Sequence, residues 1–135
     1  MTDVERAATR SRRRILVVDD SALVRLYYRD TLERAGFEVE QAINGIEAME
    51  KVLAQPFDLA IVDVNMPRMD GLSFIRSLRR SASEVAAIPA LVISTEAGQQ
   101  DIDDSRLAGA NYYLVKPVSE ANLIRYVAAL TGVPR

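Results

Sequence analysis

The 135-residue chain contains neither cysteine nor histidine. Without cysteine there is no disulfide, no thiolate nucleophile and no zinc ribbon. Without histidine there is no Ser-His-Asp triad, no HExxH zinc site and no imidazole general base. No apolar run approaches the ~20 residues that a membrane helix needs. The opening MTDVERAATR lacks the apolar core of a secretory signal, so the chain reads as cytoplasmic and free of membranes. A net charge of −2 gives no global reason to expect nucleic-acid binding. Any chemistry must run on carboxylates, hydroxyls, Lys, Arg or Tyr, together with a hard, oxygen-loving cation.

What is present suits one globular domain with a real core, since 49% of residues are apolar and 27% charged. Residues 1–13 form a polar lead-in carrying Arg6, Arg10, Arg12 and Arg13, read as a solvated arm; no helix-turn-helix follows it. The domain is expected over 14–131, with a short tail at 132–135. Within it, apolar β-rich runs at 15–18, 59–62, 90–93 and 112–115, and a weaker alternating one at 37–42, each precede a helical pattern. Continuous apolar runs suit strands buried on both faces of a parallel sheet.

The first helix places Val24, Tyr27, Tyr28, Thr31, Leu32 and Ala35 inward and stops at Gly36. Asn44 caps the second, with Ile46, Met49, Val52 and Leu53 inward; Asp70 caps the third, with Leu72, Ile75 and Leu78. Ser119 caps the fifth, with Leu123, Ile124, Val127 and Leu130 inward. The fourth, over 99–107, offers only Ile102 and Leu107 amid Asp101, Asp103 and Asp104, so it is the expected mobile element. Five strands alternating with five helices predict an α/β, doubly wound, flavodoxin-like parallel sheet of order 2-1-3-4-5.

Sites of such sheets lie beyond the carboxyl ends of the strands, where strand order reverses. There, strand one ends in Asp19-Asp20, strand three in Asp63, strand four in Ser94-Thr95 and strand five in Lys116-Pro117, while strand two contributes no ionisable group. Each residue alone suits a cap or a turn. Three carboxylates at one edge are mutually repulsive unless a cation relieves them, and the oxygen-only set favours Mg²⁺. With Lys and a hydroxyl alongside, this chemistry points to phosphoryl transfer onto Asp63.

Asp19-Asp20, Asp63 with Asn65-Met66-Pro67 and Asp70-Gly71, Ser94, Gly109-Ala110 and Lys116-Pro117 resemble the receiver domain of bacterial response regulators. The likeness covers about residues 14–130, and the chain is similar to the single-domain, chemotaxis-regulator-like type. The resemblance implies that Asp63 is the phosphoacceptor and that Asp20, Asp63 and the Asn65 backbone carbonyl bind Mg²⁺, with Asp19 acting through water. It implies that Lys116 pairs with Asp63 and then with the phosphoryl group, that Ser94 turns towards a phosphoryl oxygen, and that Tyr113 moves into the space vacated beside it. It further implies a cis Lys116-Pro117 bond, and an output surface on the fourth helix, fifth strand and fifth helix. The implied partners are a sensor histidine kinase or histidine phosphotransfer protein and a downstream protein target. Thr95 and Val118 depart from the family's usual small residue and Phe, while Asn65 and Glu96 resemble the pair found in fast-dephosphorylating members.

Three other readings fit less well. A phosphatase with an aspartyl nucleophile typically has a second Asp at the position of Asn65. A flavin carrier needs a hydroxyl- and Gly-rich phosphate loop where Asp19-Asp20-Ser21 stands. A receiver that is never phosphorylated would not need the intact constellation.

Overall fold

The computed structural model describes residues 12–64 and 70–133. Five strands, β1 (Arg14–Val18), β2 (Glu38–Ala42), β3 (Leu59–Val62), β4 (Ala90–Ser94) and β5 (Tyr112–Val115), form one parallel sheet of order β2-β1-β3-β4-β5, as expected. They alternate with α1 (Ala22–Arg34), α2 (Gly45–Ala54), α3 (Gly71–Arg79), α4 (Gln99–Ala108) and α5 (Glu120–Thr131). Among the described residues there is one helix more than expected, a single turn at Ser83–Ala86 between α3 and β4.

The period of two divides the core. Ile15, Val17, Leu59, Ile61, Leu91 and Ile93 pack with Tyr28 and Leu32 of α1 and with Leu123 and Val127 of α5. On the other face Leu16, Val18, Ala60, Val62, Ala90 and Val92 pack with Ala48 and Val52 of α2 and with Phe74, Ile75 and Leu78 of α3. β1, β3 and β4 are buried nearly throughout, which is why their sequences are continuously apolar. The caps are those expected: Ser21 accepts from Val24 N–H, Asn44 from Glu47, Asp70 from Ser73 and Ser119 from Asn122. Gly36, at φ +96°, follows the end of α1.

Several expectations about faces need correction. α2 turns Gly45, Ala48 and Val52 inward, leaving Ile46 and Leu53 exposed, because small Ala48 lets the helix lie close to the sheet. α3 buries Phe74, which was not expected, while Leu72 is only partly covered. α4 buries Ser105 and Ala108 and leaves Leu107 84% exposed, so its inward stripe is polar and small. β5, expected to be covered on both faces, is an edge strand with Tyr112 and Val115 exposed. Of the tyrosine pair only Tyr28 is core; Tyr27 is exposed at its ring and donates its hydroxyl to the Val118 carbonyl. Near the start of the described residues Arg13 donates to the Thr131 carbonyl and Arg14 opens β1; the lead-in before residue 12 and the tail's last two residues lie outside the described residues.

Candidate functional site

Register assembles the site. Val18 pairs with Val62 across β1 and β3, so Asp19 and Asp63 leave the sheet side by side, and the Asp63 N–H still donates to the Val18 carbonyl. Ser94 pairs with Val115 across β4 and β5, and the next N–H, that of Lys116, donates to the Ser94 carbonyl. One carboxylate oxygen from each of Asp19, Asp20 and Asp63 lies within 4.8 Å of the others.

The members differ in how they are held. Asp19 is buried, accepts from the Ser21 N–H at 2.9 Å, and faces the Lys116 ammonium at 3.6 Å. Asp19 is thus a resting partner of Lys116 that was not expected beside Asp63. Asp63 is half-buried and Asp20 exposed. Asn65, with Met66 and Pro67, lies outside the described residues.

Behind Asp63, Gly71 opens α3 in van der Waals contact with the strand end. A Cβ there would stand 2.2 Å from the Asp63 carbonyl oxygen and 2.7 Å from Val64 Cα. The Asp-Gly step therefore has two separate causes: Asp70 caps the helix, and Gly71 lets it begin against the main chain that carries Asp63.

Ser94 has no exposed surface, and its Oγ accepts from the Glu96 N–H at 3.1 Å. Among the described residues the hydroxyl proton has no acceptor, so it is free to donate. Tyr113 donates its hydroxyl to the Glu96 carbonyl at 2.7 Å. Ser94 and Tyr113 therefore clasp the two ends of one residue, a link that sequence spacing did not reveal. Thr95 and Glu96 are exposed. The Lys116-Pro117 bond is cis.

The site also reaches residues that the sequence did not link to it. Tyr28 is buried beneath the cluster; burial first, and then the charges of Asp19 and Asp63, push its phenol well above the usual tyrosine range. Arg25, on α1, donates to the Asp19 carbonyl at 2.6 Å and to the Gln41 side-chain oxygen at 3.0 Å.

Residues 15–128, which carry this sheet, match the response regulator receiver domain. The chain belongs to the response regulator receiver domain family. This receiver is 42% identical over 121 residues to chemotaxis protein CheY1 of Helicobacter pylori, a match covering 88% of this chain and 97% of the relative. It is 35% identical over 121 residues to the CAI-1 autoinducer sensor kinase/phosphatase CqsS of Vibrio cholerae, covering 90% of this chain but only 18% of that protein. Its fold is similar to that of the Vibrio cholerae chemotaxis protein CheY4, with TM-score 0.84, 35% identity, and coverage of 88% of this chain and 98% of the other. The general function of the family is a phosphorylation switch in two-component signalling; its receivers generally bind Mg²⁺ and interact with histidine kinases.

Proposed function

We propose that this receiver accepts a phosphoryl group on Asp63 from the phosphohistidine of a sensor histidine kinase or a histidine phosphotransfer protein. The observation that carries the reading is the convergence, at one sheet edge, of three carboxylates, Lys116 and a buried Ser94 hydroxyl whose proton has no acceptor among the described residues. An Asp63 carboxylate oxygen attacks phosphorus as the P–N bond to the donor imidazole breaks, the electron pair staying on the leaving nitrogen. The carboxylates suit Mg²⁺, because three oxygen donors within 4.8 Å, with no nitrogen or sulfur among them, match a hard cation. Asp20 and Asp63 would hold the ion directly, with the Asn65 carbonyl, and Asp19 would act through water. When bound, the ion neutralises charge on the phosphoryl oxygens.

Lys116 leaves Asp19 for a phosphoryl oxygen, and Ser94 donates its free proton to another. Because the Ser94 Oγ and the Tyr113 hydroxyl hold opposite ends of Glu96, a turn of Ser94 is felt at Tyr113, on the face of β5 next to α4. The α4–β5–α5 surface is the one a downstream protein reads, with no direct role for nucleic acid. Exposed Thr95 and Glu96, with Asn65, tune loss of the phosphoryl group by controlling the approach of water. The chain is a phosphoacceptor that promotes its own phosphorylation and dephosphorylation, with its receiver over 14–131. It works in the cytoplasm; no helix among the described residues is long and apolar enough to cross a membrane.

Intact mass measured after incubation with acetyl phosphate and Mg²⁺ tests this directly. One Mg²⁺-dependent phosphoryl adduct is expected on the parent and none on Asp63→Asn. An adduct of equal yield on the variant, or none on the parent even with kinases added, would overturn the assignment.

A further inference from the structure

β2 stands at the sheet edge away from the site and ends without an ionisable group, yet it is tied to the carboxylates through side chains. The Ala42 carbonyl takes the Asp19 N–H, so the carbonyl of Gln41 faces off the sheet edge, where the Lys51 ammonium of α2 donates to it. The Gln41 side chain, in phase with Val39, points to the α1 face and accepts from Arg25 Nε at 3.0 Å. Arg25 Nη1 then donates at 2.6 Å to the carbonyl of Asp19. That carbonyl lies in the peptide plane joining Asp19 to Asp20, past the last β1–β2 hydrogen bond.

The two carboxylates depend on this peptide unequally. Asp19 is also held by the Ser21 N–H and faced by Lys116. Asp20 is exposed, and among the described residues no hydrogen bond or ion pair holds its carboxylate. Its direction is therefore set by the main chain that precedes it. We infer that Arg25, braced by Gln41, is a positioning residue that fixes the Asp19–Asp20 peptide and thereby aims Asp20 into the divalent-cation site. The inference rests on the proposed Mg²⁺ site and adds to it a residue that touches neither the ion nor the phosphoryl group.

Both acceptors of Arg25 are neutral oxygens, which separates geometry from charge. A guanidinium presents two donors in a fixed fork, whereas an ammonium keeps the charge without the fork. If Arg25 acted only by softening repulsion among the carboxylates, lysine would replace it. If it were only a staple between α1 and the sheet edge, its loss would lower stability and leave ion affinity in the folded protein unchanged.

Titration calorimetry with MgCl₂ on the parent, Arg25→Met, Arg25→Lys and Gln41→Leu, each shown to be folded by circular dichroism, decides the matter. Removing an outer residue that orients a ligand typically weakens a metal about 10- to 100-fold. Mg²⁺ is expected to bind Arg25→Met about tenfold more weakly, Arg25→Lys nearly as weakly, and Gln41→Leu about threefold more weakly. In the same variants the Mg²⁺ needed for half-maximal adduct formation with acetyl phosphate should rise in step, with the rate recovered at saturating Mg²⁺. Parent-like affinity in Arg25→Met, or full recovery in Arg25→Lys, would overturn the inference. If Arg25→Met does not fold, Gln41→Leu decides alone, and an unchanged affinity there overturns it. A parent that binds no Mg²⁺ refutes the cation site itself, an outcome distinct from any difference among variants.

Discussion

Replacing Gly71 by alanine sets two physical effects of opposite sign against each other. As the first residue of α3, alanine would stabilise an isolated helix by up to about 1 kcal/mol relative to glycine. In the folded domain the new Cβ would stand 2.2 Å from the Asp63 carbonyl oxygen, 2.7 Å from Val64 Cα and 2.9 Å from the Asp63 carbonyl carbon. Carbon-to-oxygen contacts settle near ~3.3 Å, so the overlap is about 1 Å. These three nearest atoms are all main chain, so swinging a side chain aside cannot relieve the overlap. β3 is fixed by its ladder, and α3 is anchored by fully buried Phe74, Ile75 and Leu78. Overpacking of this kind costs about 3 kcal/mol, leaving a net loss near ~2 kcal/mol after the helix gain. Relief would shift the segment carrying Asp63 by a good fraction of an ångström. A misplacement of about 1 Å at a reacting group costs roughly 100-fold in rate.

Urea unfolding followed by circular dichroism reads the first effect, and the rate of adduct formation with acetyl phosphate reads the second. Gly98→Ala is the control. Its Cβ would meet only the Asp101 carboxylate, the far end of a side chain, at 2.9 Å, and a cost of at most about 1 kcal/mol is expected from the helix start. A Gly71→Ala protein as stable as the parent, phosphorylated at the parent's rate, would refute the close-approach argument.

Further outcomes follow from two polar side chains, half-buried Arg79 and buried Tyr28. Arg79 donates to the carbonyls of Gly109, Ala86 and Ile88 and to Asn111 Oδ1, at 2.7 to 3.0 Å, tying the end of α3 to the segments that lead into β4 and β5. Arg79→Ala should cost about 2 to 4 kcal/mol by urea unfolding, and Arg79→Lys should recover little of it; a loss below about 0.5 kcal/mol would contradict this. The Tyr28 phenol is held neutral by burial and by Asp19 and Asp63, so its raised pKa adds nothing to pH dependence below about pH 10. Above that, the unfolded chain gives up the proton first and stability falls as pH rises. Phenolate absorbance of the folded parent should match that of Tyr28→Phe through pH 10, and a tyrosine's worth of extra signal there would refute the assignment. Since the hydroxyl has no hydrogen-bond partner among the described residues, Tyr28→Phe should leave stability within about 0.5 kcal/mol or raise it.

Much of this molecule is readable along the chain because its main signals are local and periodic. Buried parallel strands write themselves as apolar runs, caps are single residues at helix starts, and a doubly wound sheet delivers its strand ends to one edge. Asp19, Asp20, Asp63, Ser94 and Lys116 could be picked out as neighbours for that reason, and register then set them together. The errors fall where periodicity is ambiguous. In α2 large Ile46 and Leu53 compete with small Ala48 for the inward face, and close approach to the sheet favours the small residue. Apolar β5 reads like β3, and only its place at the end of the sheet leaves it half exposed.

The order of strands and helices, the carboxyl-edge cluster and the character of its chemistry were determined by the sequence alone, because residue type and spacing suffice for them. Tertiary structure alone decided which groups hold the cluster. Lys116 lies against Asp19, Glu96 is clasped by Ser94 and Tyr113, and Arg25 reaches the Asp19 carbonyl with Gln41 behind it. These links join residues whose separation along the chain carries no period, and two of the five, those from Tyr113 and from Arg25 to Asp19, end on backbone oxygens that every residue possesses. Such acceptors leave no mark in residue identity, so only the folded path of the main chain reveals them.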